Sequence, residues 1–454
     1  MTHPNASQLW SKDLPLDVLV HRFTVGEDPV LDLELLPWDC LGSAAHVRML
    51  AETKLLPTGE ARSLVDGLRR VSHLVAQGAF HILPEQEDGH TALEAELIRM
   101  LGDTGKRVHL GRSRNDQVAL ALRLLMRDSL LGLGVKAGRI AEAFLAFATA
   151  HRDEPLPGYT HLRRAMPSSW GQWGQAFAEG LAEELQALPS IYARLDKCPL
   201  GAAAGFGAPV PLDRERVASL LGFAGVQRSP VDVINSRGRH EQALLDWICS
   251  VAFVLEKAFW DMALYSTEEF GFLKLPDAFT TGSSIMPQKR NPDVVELARA
   301  TCAELRGWAA MLREIATGLP GNYHRDLQLM KKPLLSALRS ADQLFDVTTR
   351  LVGALQVNRE ASAQACTPDL HAAGRALHLA ADGMPFRDAY RQVAQELKDG
   401  SFQPDPEAFK SIHTGGTANL GLEACAADLA QAMSWVHART RHVTQAQSGI
   451  WDVN

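Results

Sequence analysis

Apolar residues along this chain recur at steps of three and four over long proline-free stretches, the spacing of helices that bury one face. No proline occurs from Arg114 to Glu154, from Val231 to Leu275 or from Asp293 to Leu319. In the last stretch Val294, Leu297, Thr301, Leu305, Trp308, Leu312 and Ile315 form a stripe that predicts a bundle seam. In the middle stretch Leu244, Leu245, Ile248, Val251, Ala252, Val254, Leu255, Ala258, Phe259 and Trp260 leave almost no polar face, so that helix is expected to be buried on several sides. The first stretch carries Val118, Leu122 and Leu125 early and Ile140, Phe144 and Phe147 late. Between them Gly132, Gly134 and Gly138 predict a kink or a close helix approach, since each glycine lowers helix propensity by up to ~1 kcal/mol. Alternating runs of β-branched and aromatic residues are scarce, which argues against a large sheet. The expected fold is all-α, with an N-terminal helical domain over residues 1–110, a central bundle of long helices over 111–360 and a C-terminal helical domain over 361–454. A central helix with several apolar faces needs more neighbours than one chain offers, so self-association through the bundle is expected.

Composition narrows the function without naming it. The 454 residues are 46% hydrophobic, enough for a large core, and 46 basic against 53 acidic side chains give a net charge of −7. That balance offers no electrostatic footprint for nucleic acid or an anionic membrane. Charges interrupt every apolar run, Asp246 and Glu256 bounding the one from Trp247 to Leu255, so none reaches the ~18 residues of a membrane span. The polar start, MTHPNASQLWSKDL, lacks the layout of a signal peptide, and a cytoplasmic location is expected. Cys40, Cys198, Cys249, Cys302, Cys366 and Cys425 are far apart and read as packed thiols. Gly132-Leu-Gly134-Val-Lys-Ala-Gly138 misses the dinucleotide spacing, and His240-Glu241-Gln242-Ala243-Leu244 lacks the second histidine of a zinc-binding helix. His371 and His378 read as surface or core residues. No metal and no organic cofactor are expected.

Three segments carry chemistry. In GSSIMPQKRNPDVVE, Gly282 to Glu296, Asn291, Pro292 and Asp293 read as an N-cap, a proline at the first helical position and an acid in the first turn. The loop before them then ends at a positive helix terminus, where Lys289 adds a cation and Ser283 and Ser284 add hydroxyls that such a field would favour as alkoxide. In GRSRNDQVA, Gly111 to Ala119, Ser113 and Asp116 form a capping box that would present Arg114 and Asn115 at the start of a long helix, with Arg114 able to fork onto a carboxylate. LPGYTHLRRAMP, Leu156 to Pro167, reads as a loop bounded by proline and glycine that presents Tyr159, Thr160 and His161. His161 is the acid/base candidate there, with Glu296 as an orienting carboxylate.

Together these segments resemble the signature regions of the fumarase/aspartase superfamily, and within it the argininosuccinate lyases. The resemblance extends to EDGHTALEAEL at Glu87 to Leu97, PLGAAAGFG at Pro199 to Gly207, GLPGNYHRDLQ at Gly318 to Gln328, GMPFRDAY at Gly383 to Tyr390 and HTGGTANL at His413 to Leu420. It implies reversible elimination of L-argininosuccinate to L-arginine and fumarate, in arginine biosynthesis, by a homotetramer whose active sites are shared between subunits. It further implies that Ser283 is the base, that Lys289 and Asn291 stabilise an aci-carboxylate, and that His161 with Glu296 assists proton transfer to the leaving nitrogen. His90, Thr91, Ser113, Arg114, Asn115, Thr160, Tyr323, Gln328 and Lys331 match substrate-binding positions of the family. Other fumarate-releasing substrates of the superfamily, adenylosuccinate, malate or aspartate, and a non-catalytic oligomeric scaffold are the competing readings.

The chain departs from the family pattern in three places. Ser236-Arg237-Gly238-Arg239-His240 stands where the usual wording is Ser-x-Arg-Asp, and Leu329 and Met330 replace an acidic pair after Gln328. Trp10-Ser11-Lys12-Asp13-Leu14 stands for Trp-Gly-Gly-Arg-Phe. These changes bear on the arginine-binding end of the substrate.

Overall fold

Side-chain caps open the helices that organise the chain. In the computed structural model, which describes residues 17–405 and 410–453, Asp17, Asp88, Ser113 and Ser169 each accept a backbone N–H at the start of a helix. The departure at Trp10–Leu14 lies outside the described residues. Four helices come first, α1 (Val18–Val25), α2 (Asp28–Glu52), α3 (Thr58–Ala76) and α4 (Gly89–Leu101). Helix α5 (Arg114–Ala150) leads into a hairpin of β1 (Pro155–Thr160) and β2 (Arg163–Ser169), and α6 (Trp170–Leu195) returns along α5. Two short helices, α7 (Arg214–Leu220) and α8 (Pro230–Asn235), precede α9 (Arg239–Tyr265). Then come β3 (Leu273–Lys274), β4 (Thr281–Gly282), β5 (Arg290–Asn291), α10 (Asp293–Ala316), α11 (Lys331–Ala354) and β6 (Gln356–Val357). The chain ends with α12 (Arg359–Ala365), α13 (Ala372–Ala381), α14 (Phe386–Asp399) and α15 (Leu422–Ser448).

One large apolar core runs through α5, α6, α9, α10, α11 and α15. A second joins α2, α3 and α4 to Leu120 and Leu124 on α5 and to Ile450. The sheets among the described residues are two-stranded, in keeping with the all-α reading. All six cysteines are unpaired thiols, four of them buried.

Four local readings change. Helix α5 is unbroken from Arg114 to Ala150, so the expected kink is absent and close approach holds at two of the three glycines: a Cβ would crowd Leu188 at Gly134 and the Met433 sulfur of α15 at Gly138, whereas Gly132 faces open space. The inner face of α10 is Val295, Ala298, Cys302, Leu305, Ala309 and Leu312, one residue around from much of the expected stripe, and Leu297 is 67% exposed. Phe253, Trp260 and Leu297 are all exposed on α9 and α10, which leaves an apolar face on the bundle. The segment read as a loop around His161 is a hairpin in which Pro157 faces Pro167, both on edge strands that tolerate a missing donor. Asn291 is not a helix cap either: it pairs with Thr281 across β4 and β5, its backbone is committed to that bridge, and Pro292 takes the cap position with Asp293 as the first helical residue.

The hairpin's base is packed against α6 at Gly171, where a Cβ would lie 2.6 Å from Arg152 O and 2.7 Å from Arg152 Cα. Backbone cannot yield as a flexible side chain does. Gly171→Ala should therefore destabilise by about 1–3 kcal/mol, read as a lowered denaturant midpoint, with an unchanged midpoint counting against this packing.

Candidate active site

The cleft begins with carboxylates on one face of α2. Asp28, Asp32 and Asp39 are spaced by four and seven, which keeps them on one side of the helix, and all three are buried. A buried carboxylate needs partners, and each finds them on another element. Lys331 Nζ, at the start of α11, donates to Asp32 Oδ1 at 2.6 Å and to Asp28 Oδ2 at 3.0 Å. The other oxygen of Asp32 accepts the Gly89 N–H at 3.0 Å, fixing the first turn of α4. His90, next in that turn, has Nδ1 2.5 Å from Asp39 Oδ2. Asp39 also accepts from Gln117 Nε2 and Ser43 Oγ, and Arg112 donates to Ser43.

These contacts set the charges. Burial works against ionised His90, but the Asp39 carboxylate beside it outweighs burial and raises the imidazole above its usual value. Burial likewise pushes Asp39 up, and the charge and hydrogen bond of His90 with the Arg112 guanidinium bring it below the usual carboxylate range. Asp28 goes the other way. Burial lifts it to about 6 despite Lys331, with Asp32 adding repulsion. Lys331 is held above its ordinary value because the two carboxylates overcome its burial.

Around this frame lies a cleft of about 360 Å³. It brings together six of the sequence-predicted residues: His90, Arg114, Asn115, Tyr323, Gln328 and Lys331. Thr91 stands behind Arg114, whose guanidinium donates to Thr91 Oγ1 at 2.9 Å and Asp88 Oδ2 at 3.0 Å. Arg114 thus spans Asp88 and Thr91 with separate nitrogens and does not fork onto one carboxylate. Ser113 caps α5 in the expected capping box and lines an adjoining space of about 560 Å³ that shares His90, Arg114 and Asn115 with the cleft. Gln328 Nε2 donates to the carbonyls of Thr24 and Val25, closing the cleft with the end of α1.

The other predicted residues do not line this cleft. Ser283 and Lys289 lie between β4 and β5, where Ser283 Oγ accepts the Met286 N–H at 3.1 Å and Ile285 is 83% exposed at the tip. Asn291 ends that hairpin and Glu296 is exposed one turn into α10. Thr160 and His161 sit at the tip of the β1–β2 hairpin, with His161 and Leu162 at φ of 53° and 56°, a left-handed pair costing of order 1–2 kcal/mol per residue. Helix lengths show how far apart these groups are. Helix α5 has 37 residues, about 55 Å at 1.5 Å per residue, with Asn115 at one end and the hairpin beyond the other. Tyr159 packs on Tyr265 at the far end of α9 from Gly238. The serine loop precedes α10, whose last helical residue, Ala316, meets Gly238 beside the cleft residue Arg237. One chain therefore carries the cleft at one end of its bundle and both the histidine hairpin and the serine loop at the other.

Two departures from the family pattern meet in space. Gly238 caps α9 at φ 85°, where a Cβ would fall 2.3 Å from Ala316 Cβ and 3.4 Å from the Met330 sulfur. Any side chain at position 238 would collide with Ala316 and strain the backbone, so glycine fits here, with Met330 packed beside it. Beside them Arg237, lining the cleft, pairs with buried Glu241 at 3.0 Å. Sequence reasoning missed Asp28, Asp32, Asp39, Asp88 and Arg237. The signal was present in α2, since acids repeating on an apolar helix face are costly unless paired.

A model of the lyase family matches residues 6–307. An argininosuccinate lyase from Sorangium cellulosum is 44% identical over 420 residues, covering 92% of this chain and 97% of that protein. One from Parabacteroides distasonis is 38% identical, covering 93% and 94% of the two chains. Among solved structures, EDDS lyase in complex with formate shares the fold, with a TM-score of 0.80 at 24% identity over 97% of this chain and 96% of that one.

Asp39→Asn tests the buried pair. Raised His90 contributes stability that is complete below the ordinary histidine value and lost as pH rises through its folded pKa; lowered Asp39 contributes above its ordinary value and loses it as pH falls. The gap between native protein and variant should thus be widest between about pH 4 and pH 6.5. Breaking the pair should cost about 3–5 kcal/mol there, measured from urea midpoints at a series of pH values; a pH-independent gap would remove the pair's charge from the explanation.

Proposed function

The chain belongs to the argininosuccinate lyase family, and from that premise we propose that it eliminates fumarate reversibly from L-argininosuccinate, leaving L-arginine, as a cytoplasmic homotetramer in arginine biosynthesis. The observation that carries the proposal is the split between two ends of the bundle: a cleft lined by His90, Arg114, Asn115, Tyr323, Gln328 and Lys331, and chemistry-bearing loops about a helix length away. Antiparallel packing of subunits along their bundles brings the serine loop and histidine hairpin of neighbouring chains to the cleft. The exposed apolar residues Phe253, Trp260 and Leu297 support such packing.

In this reading Ser283 removes the proton from the carbon beside a succinyl carboxylate. That carbon is a very weak acid, so the dianion that forms needs preorganised donors, each contributing about 3–4 kcal/mol. Lys289 and Asn291 supply them, and His161 with Glu296 delivers a proton toward the leaving guanidino nitrogen. Ser283 is a poor base in water; closure of its exposed loop over the cleft excludes water and brings the hydroxyl to Lys289 and the helix terminus. Thr91, Ser113 and Thr160 complete the binding set, with His90 and Lys331 receiving carboxylate.

Fumarate release, followed by its absorbance, should occur with argininosuccinate and be absent with adenylosuccinate, malate and aspartate offered at equal concentration; preference for another member of that set would transfer the assignment to it. Ser283→Ala should lose about 10²–10⁴-fold in turnover with the fold intact, and full activity would remove Ser283 from the role of base. Co-refolding Ser283→Ala with a Lys331→Met chain should restore about a quarter of the native sites by random assortment if each site draws these residues from different subunits. No recovery in properly assembled mixtures would place both residues in one chain's site.

A further inference from the structure

A larger cavity, about 1370 Å³, lies apart from the cleft, between the C-terminal end of α6, the segment 224–229, the α8–α9 junction and α15. Its wall is cationic. Arg194, Lys197, Arg228, Arg239 and Arg439 line it against three acids. Two of those acids are already engaged: Asp196 accepts from buried Arg127 at 3.3 Å, and Asp232 pairs with Arg239 at 3.2 Å and accepts from Gln227. Arg194, Lys197 and Arg228 make no side-chain ion pair among the described residues. Unpaired cations facing one hollow are self-repelling, an arrangement that an anion relieves.

The second observation is His240. The residue is among those that line the cavity, it is 8% exposed, and both ring nitrogens lie buried beneath the surface with no hydrogen-bond partner. A buried imidazole without partners is costly. Burial, then the charges of Arg123, Arg239, Arg194 and Lys197, hold it down to about 3, so the positive field of the wall reaches its floor. Negative charge placed in the cavity would offset that field at both the guanidinium groups and the ring. The volume exceeds that of a single chloride many times over and suits a compound with several charged groups.

We propose that this cavity is a binding site for a small, multiply charged anion, a polycarboxylate or a phosphate compound, held by Arg194, Lys197, Arg228 and Arg239 above His240. The site is separate from the cleft, yet the turn that begins α9 serves both. Arg237 faces the cleft, whereas Arg239 and His240 face the cavity.

Calorimetric titration of the assembled protein with citrate and, separately, with pyrophosphate tests this. Saturable binding of either probe is expected, citrate alone marking a polycarboxylate site and pyrophosphate alone a phosphate site. The cleft can also attract anions, so the deciding arm is a protein with Arg194→Ala, Lys197→Ala and Arg228→Ala together. It should keep its turnover and its mass by light scattering while its affinity for the probe falls at least tenfold. The milder Arg228→Gln alone should weaken binding severalfold. Saturable binding of neither probe, or affinity unchanged in the triple variant, would overturn the proposal. So would a triple variant that dissociates into smaller species, which would assign these cations to contact between subunits.

Discussion

The carboxylate of Asp116 is the constraint on which the site end of the molecule depends. One oxygen accepts the Ser113 N–H at 2.9 Å, closing the cap of α5; the other accepts the N–H groups of Gly201 and Ala203 at 3.0 and 2.8 Å. The residue is fully buried, so these bonds form out of water, where an unmade one would cost the full desolvation of the group. Two backbone segments are thereby locked to one side chain through three N–H groups. The start of α5 is fixed against the loop after α6, and with it the direction in which Arg114 and Asn115 leave the helix. A helix of 37 residues then carries that orientation the whole length of the bundle.

The same logic operates on α2. Its acids are not a charged surface but the anchors for Lys331 at the start of α11 and for Gly89 and His90 in the first turn of α4, two elements far from α2 in the sequence. Because each anchor is a charge-assisted bond in a low-dielectric setting, loss of one partner leaves the other exposed to the full cost of burial. The walls of the cleft are cross-linked by these bonds. The two loops that bear Ser283 and His161 lack such anchors: they are short hairpins with exposed tips, and the His161 tip is held in the left-handed region by its turn.

What could be read in the sequence follows from the range of the interactions involved. Ser113 and Asp116 act across three residues, so their capping box was legible, as were the long helices, whose apolar spacing is local. The seam of α10 was read one position off because Leu297 and Trp308 outweigh Ala298, Ala309 and Cys302 in apolar bulk, yet the small residues are the ones that let α9 and α11 approach. The hairpin of His161 was hidden by Pro157, Pro167 and Gly158, which signal loops except where a two-stranded edge tolerates them. The pairing of Thr281 with Asn291 closes a short hairpin that carries no alternating strand pattern, and the fit of Gly238 to Met330 and Ala316 acts across the fold.

A net charge of −7 is compatible with holding an anionic substrate because the relevant field is local. Of the five cations that line the cleft, four are tied to carboxylates, Lys331 to two aspartates, His90 to Asp39, Arg114 to Asp88 and Arg237 to Glu241, while Arg325 donates to Gln328 and to the Thr24 carbonyl. A substrate carboxylate entering there competes with protein carboxylates for donors already oriented, so binding draws on exchange of partners instead of on long-range attraction. Among those competitors Asp28 is pushed up to about 6 by burial. Protonation of Asp28 would remove one of the two negative charges on Lys331 and free one N–H of its ammonium, still bonded to Asp32, to donate to the substrate's carboxylate, which ties the buried acid of α2 to how tightly this end of the site can hold a negative charge.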